Sequence, residues 1–171
     1  EVSYYPSYVE IDAIHQIDPE IPAKAITAYV YDEFLTDIRE DFEKREGLLF
    51  VGGFAHPPNA DAVLWFAREI FPEIRKKLPD VNFYVVGSKV TDEIKALEQP
   101  GNGIIIKGFV SEEELARLYS VCRVVVVPLR YGAGVKGKVV EALYNGAPIV
   151  TTSTGAEGIP EVETVLETEN D

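Results

Sequence analysis

A chain of 171 residues, 46% of them hydrophobic, is long enough for one well-packed domain with short extensions. Its formal charge of −13 excludes a general nucleic-acid binder, which needs a basic face for phosphates. No apolar run approaches the roughly 20 residues that cross a bilayer, and a lone cysteine, Cys122, excludes an internal disulfide framework and suits a reducing compartment.

In chain order, residues 1–47 lack a regular rhythm. "SYVEIDAIHQI" suits a short helix, "AKAITAYVY" a strand, and "DEFLTDIREDFEKREG" a charge-dense linker or surface helix. This stretch is expected to be connector, not a second folded domain. From Leu48 onward, strands and helices alternate. "LLFVGG" is a short apolar run ending in glycines, the pattern of a buried parallel strand. "PNADAVLWFAREIFPEIRKKL" has helical spacing, with Asn59 as the expected N-cap and Pro72 as a kink. "VNFYVVG" is the second strand and "DEIKALEQ" a short helix. "GIIIKGFV" is the third strand, and "SEEELARLYSVC" opens on an S-x-x-E capping box and ends on Cys122, expected to be a buried small hydrophobe. "RVVVVPL" makes the fourth strand, "KVVEALYNG" a helix stopped by Gly146, "APIVTT" a fifth strand and "VETVLET" a sixth. Repeated β-α units with Val/Ile-rich strands predict an α/β fold, a Rossmann-like parallel sheet with helices on both faces. Ligands of such sheets bind beyond the carboxyl ends of the strands. That rule singles out the loops Gly52–Asn59, Gly87–Thr91, Gly108–Ser111 and Arg130–Lys138.

The last of these loops carries the most chemistry. "GAGVKGK" fits the phosphate-loop spacing G-x-x-x-x-G-K, but Val139 stands where a magnesium-holding Ser or Thr belongs. The only aspartate after Lys138 is Asp171, so no later strand supplies a metal-binding Asp either. What survives suits an anion site, or else is a flexible glycine turn with solvated lysines. Gly132 and Gly134 permit close backbone approach, and Lys136 and Lys138 stand at a helix start that attracts anions. Arg130 adds a planar fork suited to diphosphate oxygens. Glu141, one turn into that helix, is a carboxylate that suits vicinal ribose hydroxyls, or else an ordinary solvent-facing helix glutamate. No D-x-D pair, metal-ligand spacing or Ser-His-Asp arrangement is legible, so no metal site is expected.

The stretch "VVVVPLRYGAGVKGKVVEALYNGAPIVTTSTGAEGI" resembles the donor-binding region of the family 4 (group 1) glycosyltransferases of GT-B fold. "LLFVGGFAHPPNADAVLWF", "PDVNFYVVG" and "IIIKGFVSEEELARLYSVCRVVVVPL" follow that family's order, so the resemblance spans Leu48 to about Glu167. It implies the C-terminal, nucleotide-sugar-binding half of a two-domain retaining enzyme, residues 48–171. Residues 1–47 would be the tail of a mostly missing N-terminal acceptor domain. The methionine-free chain, starting at Glu1, is accordingly expected to be a fragment, inactive alone.

Carried over by residue, Glu141 matches the ribose-binding second glutamate of the family's E-x7-E element, whereas the first, which usually contacts the donor sugar, falls on Ala133. The Arg and Lys that many relatives carry in the first loop are replaced by Gly53 and Asn59. Arg130 and Lys136 would then stabilise the departing diphosphate, with Lys138 binding it. His56 is expected at the donor sugar or a phosphate, or else as a structural or solvated loop histidine; Gly108, Phe109 and Val110 against the base, or else as a plain strand exit; and Glu157 at the sugar, or else in a simple turn. The resemblance implies a nucleoside-diphosphate sugar as donor, no cofactor and no metal. The acceptor would be a glycan, lipid or small molecule held by the missing domain. The setting would be cytoplasmic, free or at the cytoplasmic membrane face. Two other classes stay open at this point: a phosphate-loop nucleotide binder and a non-enzymatic flavodoxin-like module.

Overall fold

In the computed structural model of the chain, the described residues are 2–27, 29–31, 42–159 and 167–169. Short strands, the central ones apolar and largely buried, organise them. β3 (Leu48–Val51), β4 (Phe83–Val86), β5 (Ile104–Gly108), β6 (Val124–Val127), β7 (Ile149–Thr152) and β8 (Glu167–Glu169) form one sheet. Every pairing is parallel, and the spatial order is β5-β4-β3-β6-β7-β8. β3 lies mid-sheet, with Leu48 in register with Phe83 on one side and Val124 on the other. The chain builds outward from β3, then restarts at β6 on its other flank. The carboxyl ends of β3 and β6 therefore border the crevice where a Rossmann-like sheet takes its ligand.

The helices follow from local signals. Ser111 caps α5 (Glu112–Val121), its hydroxyl accepting from the Glu114 amide at 3.2 Å. The Glu114 carboxylate turns to Arg117 and Lys107 and not back to the cap, so only half of the capping box forms. α6 (Gly137–Tyr144) ends before Gly146 at φ +60°, the left-handed position that glycine accepts. α4 (Asp92–Lys95) and α7 (Ser153–Ala156) are single turns capped by Thr91 and Thr152.

The helix after β3 departs from its expected start. α2 (Pro57–Trp65) is entered through His56, with prolines at its first two positions, where a missing N–H costs nothing. Asn59 is therefore inside the helix and buried, not its cap. A π turn, Phe66–Ile70, separates α2 from α3 (Phe71–Lys77). Pro72 lies just beyond and has no N–H to give the preceding turn, so the helix widens there.

The core gathers Leu49, Phe50, Phe83, Val85, Val125 and Val127 from the strands, with Phe66, Phe71, Leu118 and Val139 from the helices. Cys122 is buried within it. Ahead of the sheet, β1 (Ser3–Tyr5), α1 (Tyr8–Ile17) and β2 (Ala23–Ala25) form a small β-α-β unit whose strands pair in parallel. Residues 32–41 of the expected linker and residues 162–166 of the expected sixth strand lie outside the described residues. Phe42–Lys44 makes one 3-10 turn. Among the described residues, no helix is long and apolar enough to cross a membrane.

Candidate functional site

Two loops meet beyond β3 and β6, and one side chain ties them together. The loop after β3 begins with Gly52, whose amide donates to the Val86 carbonyl at 2.9 Å, and passes Gly53 to His56 at the entry of α2. Asn59 reaches back from α2, its Nδ2 donating to the Gly53 carbonyl at 2.8 Å. Its Oδ1 accepts from Lys138 Nζ, which comes across from α6 on the β6 side. The same ammonium lies 5.1 Å from the centre of the Phe50 ring, and a Cβ on Gly52 would approach it to 3.2 Å. Burial pushes the Lys138 ammonium down to about 8, and the charge of Lys136 adds to that.

Lys136 precedes the first residue of α6 and lends no side-chain cap to it. The opening amides of the helix therefore lack a side-chain acceptor, at the cavity that Gly137 and Lys138 help to line. Lys136 Nζ donates to the Gly134 carbonyl. Burial lowers the Lys136 pKa, while Glu157 and then Glu10 act in the opposite sense. A cavity of about 170 Å³ sits at this point, and His56, Asn59, Gly132, Ala133, Lys136 and Lys138 are part of its wall. Gly132 at φ +120° and Gly134 at φ +83° shape the loop that closes it.

Chemically the arrangement suits an anion. Two ammonium groups are held partly out of water, the charge of Lys136 adding to the burial that lowers the Lys138 pKa, beside uncapped helix amides. A polyanion in the cavity would relieve the repulsion and satisfy the amides. Among the described residues, no group of His, Cys, Asp or Glu is placed to hold a metal ion.

A family model for group 1 glycosyl transferases matches residues 45–170, which is most of the chain and takes in every strand of the six-stranded sheet. The chain belongs to that family. A curated relative, an uncharacterized 44.6 kDa protein in the cps region of Klebsiella pneumoniae, is 32% identical over 116 residues. Those residues are 65% of this chain but 30% of the relative, so the chain spans well under half of that protein. Among solved structures it is similar to Staphylococcus aureus TarM, crystallised with fondaparinux, alpha-GlcNAc-glycerol and UDP, at a TM-score of 0.73 and 18% identity. That match covers 99% of this chain and 34% of TarM. It is also similar to Anabaena Alr3699/HepE, solved with UDP and glucose, at a TM-score of 0.68, 18% identity and 50% coverage of that protein. The pneumococcal O-GlcNAc transferase GtfA, solved with UDP and GlcNAc, gives 0.64 and 20% over 96% of this chain and 31% of its own. These likenesses show the Rossmann-like half of a GT-B fold.

Within this group 1 transferase chain, the sequence-derived site residues divide. Lys136, Lys138, Gly132 and His56 meet at the cavity, and Gly53 is bound to it through Asn59. Glu157, just after α7, lies within electrostatic reach of Lys136. Arg130 does not join them. Its guanidinium is turned onto Asp61 of α2, with Nε 2.9 Å from Oδ2 and a second bond from the other nitrogen, and lies 5.3 Å from the Trp65 ring centre. Glu141 is also absent from the cavity wall: it is half-buried between α5 and α6, where burial raises its carboxyl pKa and the Tyr119 hydroxyl partly counters that. Tyr31, stacked on Tyr144 at 3.8 Å, lies on the same side. Gly108, at φ +67°, Phe109, largely exposed, and Val110 leave β5, two strands from β3. Sequence reading missed Asn59 as a partner of Lys138. It also missed Glu10, although Ser7-x-x-Glu10 has the spacing of a capping box before α1.

Proposed function

We propose that this chain is the donor-binding part of a retaining glycosyltransferase that takes sugar from a nucleoside-diphosphate sugar. The observation that carries the reading is the convergence of Lys136, Lys138 and the uncapped amides of α6 on one small cavity at the switch point of the sheet. A diphosphate suits it in size and in charge. The UDP present in the TarM, HepE and GtfA structures supports the same chemistry for a chain of this fold.

In this reading Lys138 binds the diphosphate, and Lys136 stabilises the negative charge that grows on it as the glycosidic bond breaks. Partial burial is what makes such ammonium groups effective, because charge interactions weaken in water. Glu141 takes the ribose hydroxyls, Gly108–Val110 border the base, and His56 and Glu157 face the sugar. Arg130 stands at the rim, holding α2 against the loop through Asp61. Transfer proceeds without a metal, the lysines taking the place of one, and the setting is cytoplasmic. Retention of configuration and an acceptor held by a preceding domain follow from family resemblance.

The two other classes fit less well. A phosphate-loop triphosphatase needs a hydroxyl at residue 139, and Val139 is fully buried in the core. A mere interaction module gives no reason to hold Lys136 and Lys138 out of water. Calorimetry with UDP, GDP and ADP in EDTA tests the proposal: one of them binds, and excess magnesium leaves the affinity unchanged. No heat with any of the three, or binding only when magnesium is present, refutes it.

A further inference from the structure

The contact between the first β-α-β unit and the glycine loop holds a carboxylate that the site above does not use. Glu10 lies in the first turn of α1, and the Ser7 hydroxyl donates to its Oε2. Its Oε1 is buried and has no hydrogen-bond partner among the described residues. That oxygen lies over Gly134, where an added Cβ would stand 3.4 Å from it. A buried carboxylate oxygen without a donor is unfavourable, so the contact is incomplete as it stands.

The surroundings say what would complete it. Along the loop the charges are graded. Lys138 bonds to Asn59 of α2, Lys136 lies two residues before Lys138, and Glu10 Oε1 lies over Gly134, two residues further back, with Glu157 also within electrostatic reach of Lys136. A nucleoside-diphosphate sugar has the same grading, since its anionic phosphates are bonded directly to a ring of neutral hydroxyls. Ammonium groups suit the first part, and a carboxylate oxygen, which only accepts, suits an O–H donor from the second. Between Gly132 and Gly134, Ala133 puts only a methyl at the cavity wall. Gly134, at φ +83°, places no side chain between the loop backbone and Glu10 Oε1.

We propose that Glu10 accepts a hydrogen bond from a hydroxyl of the sugar carried on the diphosphate, so that the β1–α1 unit supplies a specificity-determining residue of the donor site. This rests on the donor-binding reading of the lysine pair. Ser7 is a positioning residue, fixing the carboxylate through Oε2.

The test compares UDP, GDP and ADP with UDP-glucose, UDP-N-acetylglucosamine, GDP-mannose and ADP-glucose, by calorimetry on the full chain. The unmodified chain binds at least one sugar conjugate more tightly than its parent diphosphate. Glu10→Ala loses that increment, about ten-fold or more for a charge-assisted bond, while affinity for the bare diphosphate stays within about two-fold. Ser7→Ala, which leaves the carboxylate in place, loses part of the increment and serves if Glu10→Ala does not fold. Equal tightening of conjugate and diphosphate in Glu10→Ala makes the carboxylate only a shield for Lys136 and overturns the proposal. An unchanged increment overturns it too. Failure of the unmodified chain to bind any bare diphosphate is a different result, and removes the donor reading beneath it.

Discussion

Replacing Lys138 with Met should make the protein more stable and abolish its anion binding. The substitution keeps the length and apolar stem of the side chain and removes the ammonium. Burial holds that group at about 8, against an ordinary value of 10.5. At about 1.4 kcal/mol per pKa unit, keeping it charged at pH 7 costs the folded state about 3 kcal/mol. Met removes this penalty but leaves the buried Asn59 Oδ1 without its donor, a loss of about 1 kcal/mol. The net gain is about 2 kcal/mol, or about 4–8 °C in melting temperature for a chain of this size. Between pH 8 and 10.5 the unfolded chain holds a proton at Lys138 that the folded chain has released, so this residue makes stability rise with pH across that window. Lys138→Met lacks that rise. The assay is thermal melting of both proteins at pH 7 and pH 9.5, with calorimetric titration of a nucleoside diphosphate at pH 7. A lower melting temperature at pH 7, or diphosphate affinity within a few-fold of the unmodified protein, would refute the reasoning.

Other outcomes follow from the same geometry. Glu141→Gln should weaken nucleoside diphosphate binding about ten-fold while leaving inorganic pyrophosphate binding unchanged, read by paired titrations; equal losses would detach Glu141 from the ribose. Arg130→Ala should change diphosphate affinity by less than about three-fold, far less than Lys138→Met, because its guanidinium is committed to Asp61. Diphosphate binding near pH 8 should take up protons, since a bound anion raises the Lys138 pKa again; titrations in buffers of different ionisation enthalpy measure this. Gly87→Ala should destabilise by about 3 kcal/mol or more in chemical denaturation, because a Cβ there would overlap the Gly52 carbonyl oxygen where β3 and β4 end.

The fold was legible where burial imposes a simple pattern. A strand such as "VVVV" is buried along nearly its whole length, so it reads as a continuous apolar run set off from stretches of helical spacing. The start of α2 was not, because a capping asparagine and a buried one look alike until the prolines claim the first helical positions. The π turn before Pro72 left only the proline itself as a signal. For the site, Lys136 and Lys138 were legible because their loop and helix end are contiguous in the chain. Asn59 and Glu10 come to them from far along it, 79 residues away in the case of Asn59 and Lys138. Spacing carries no information about such partners. Arg130 illustrates the same limit: its neighbours in sequence suggested phosphate, and spacing gave no sign of its bond to Asp61, one turn into α2.

The most direct test is the crystal structure of the chain with the nucleoside diphosphate that binds it, grown in EDTA. The account requires phosphate oxygens within hydrogen-bond distance of Lys138 Nζ, Lys136 Nζ and the first amides of α6. Lys138 would then turn at least partly from Asn59 to the ligand. Phosphates seated elsewhere on the sheet edge, with Lys138 still bound to Asn59 alone, would contradict it.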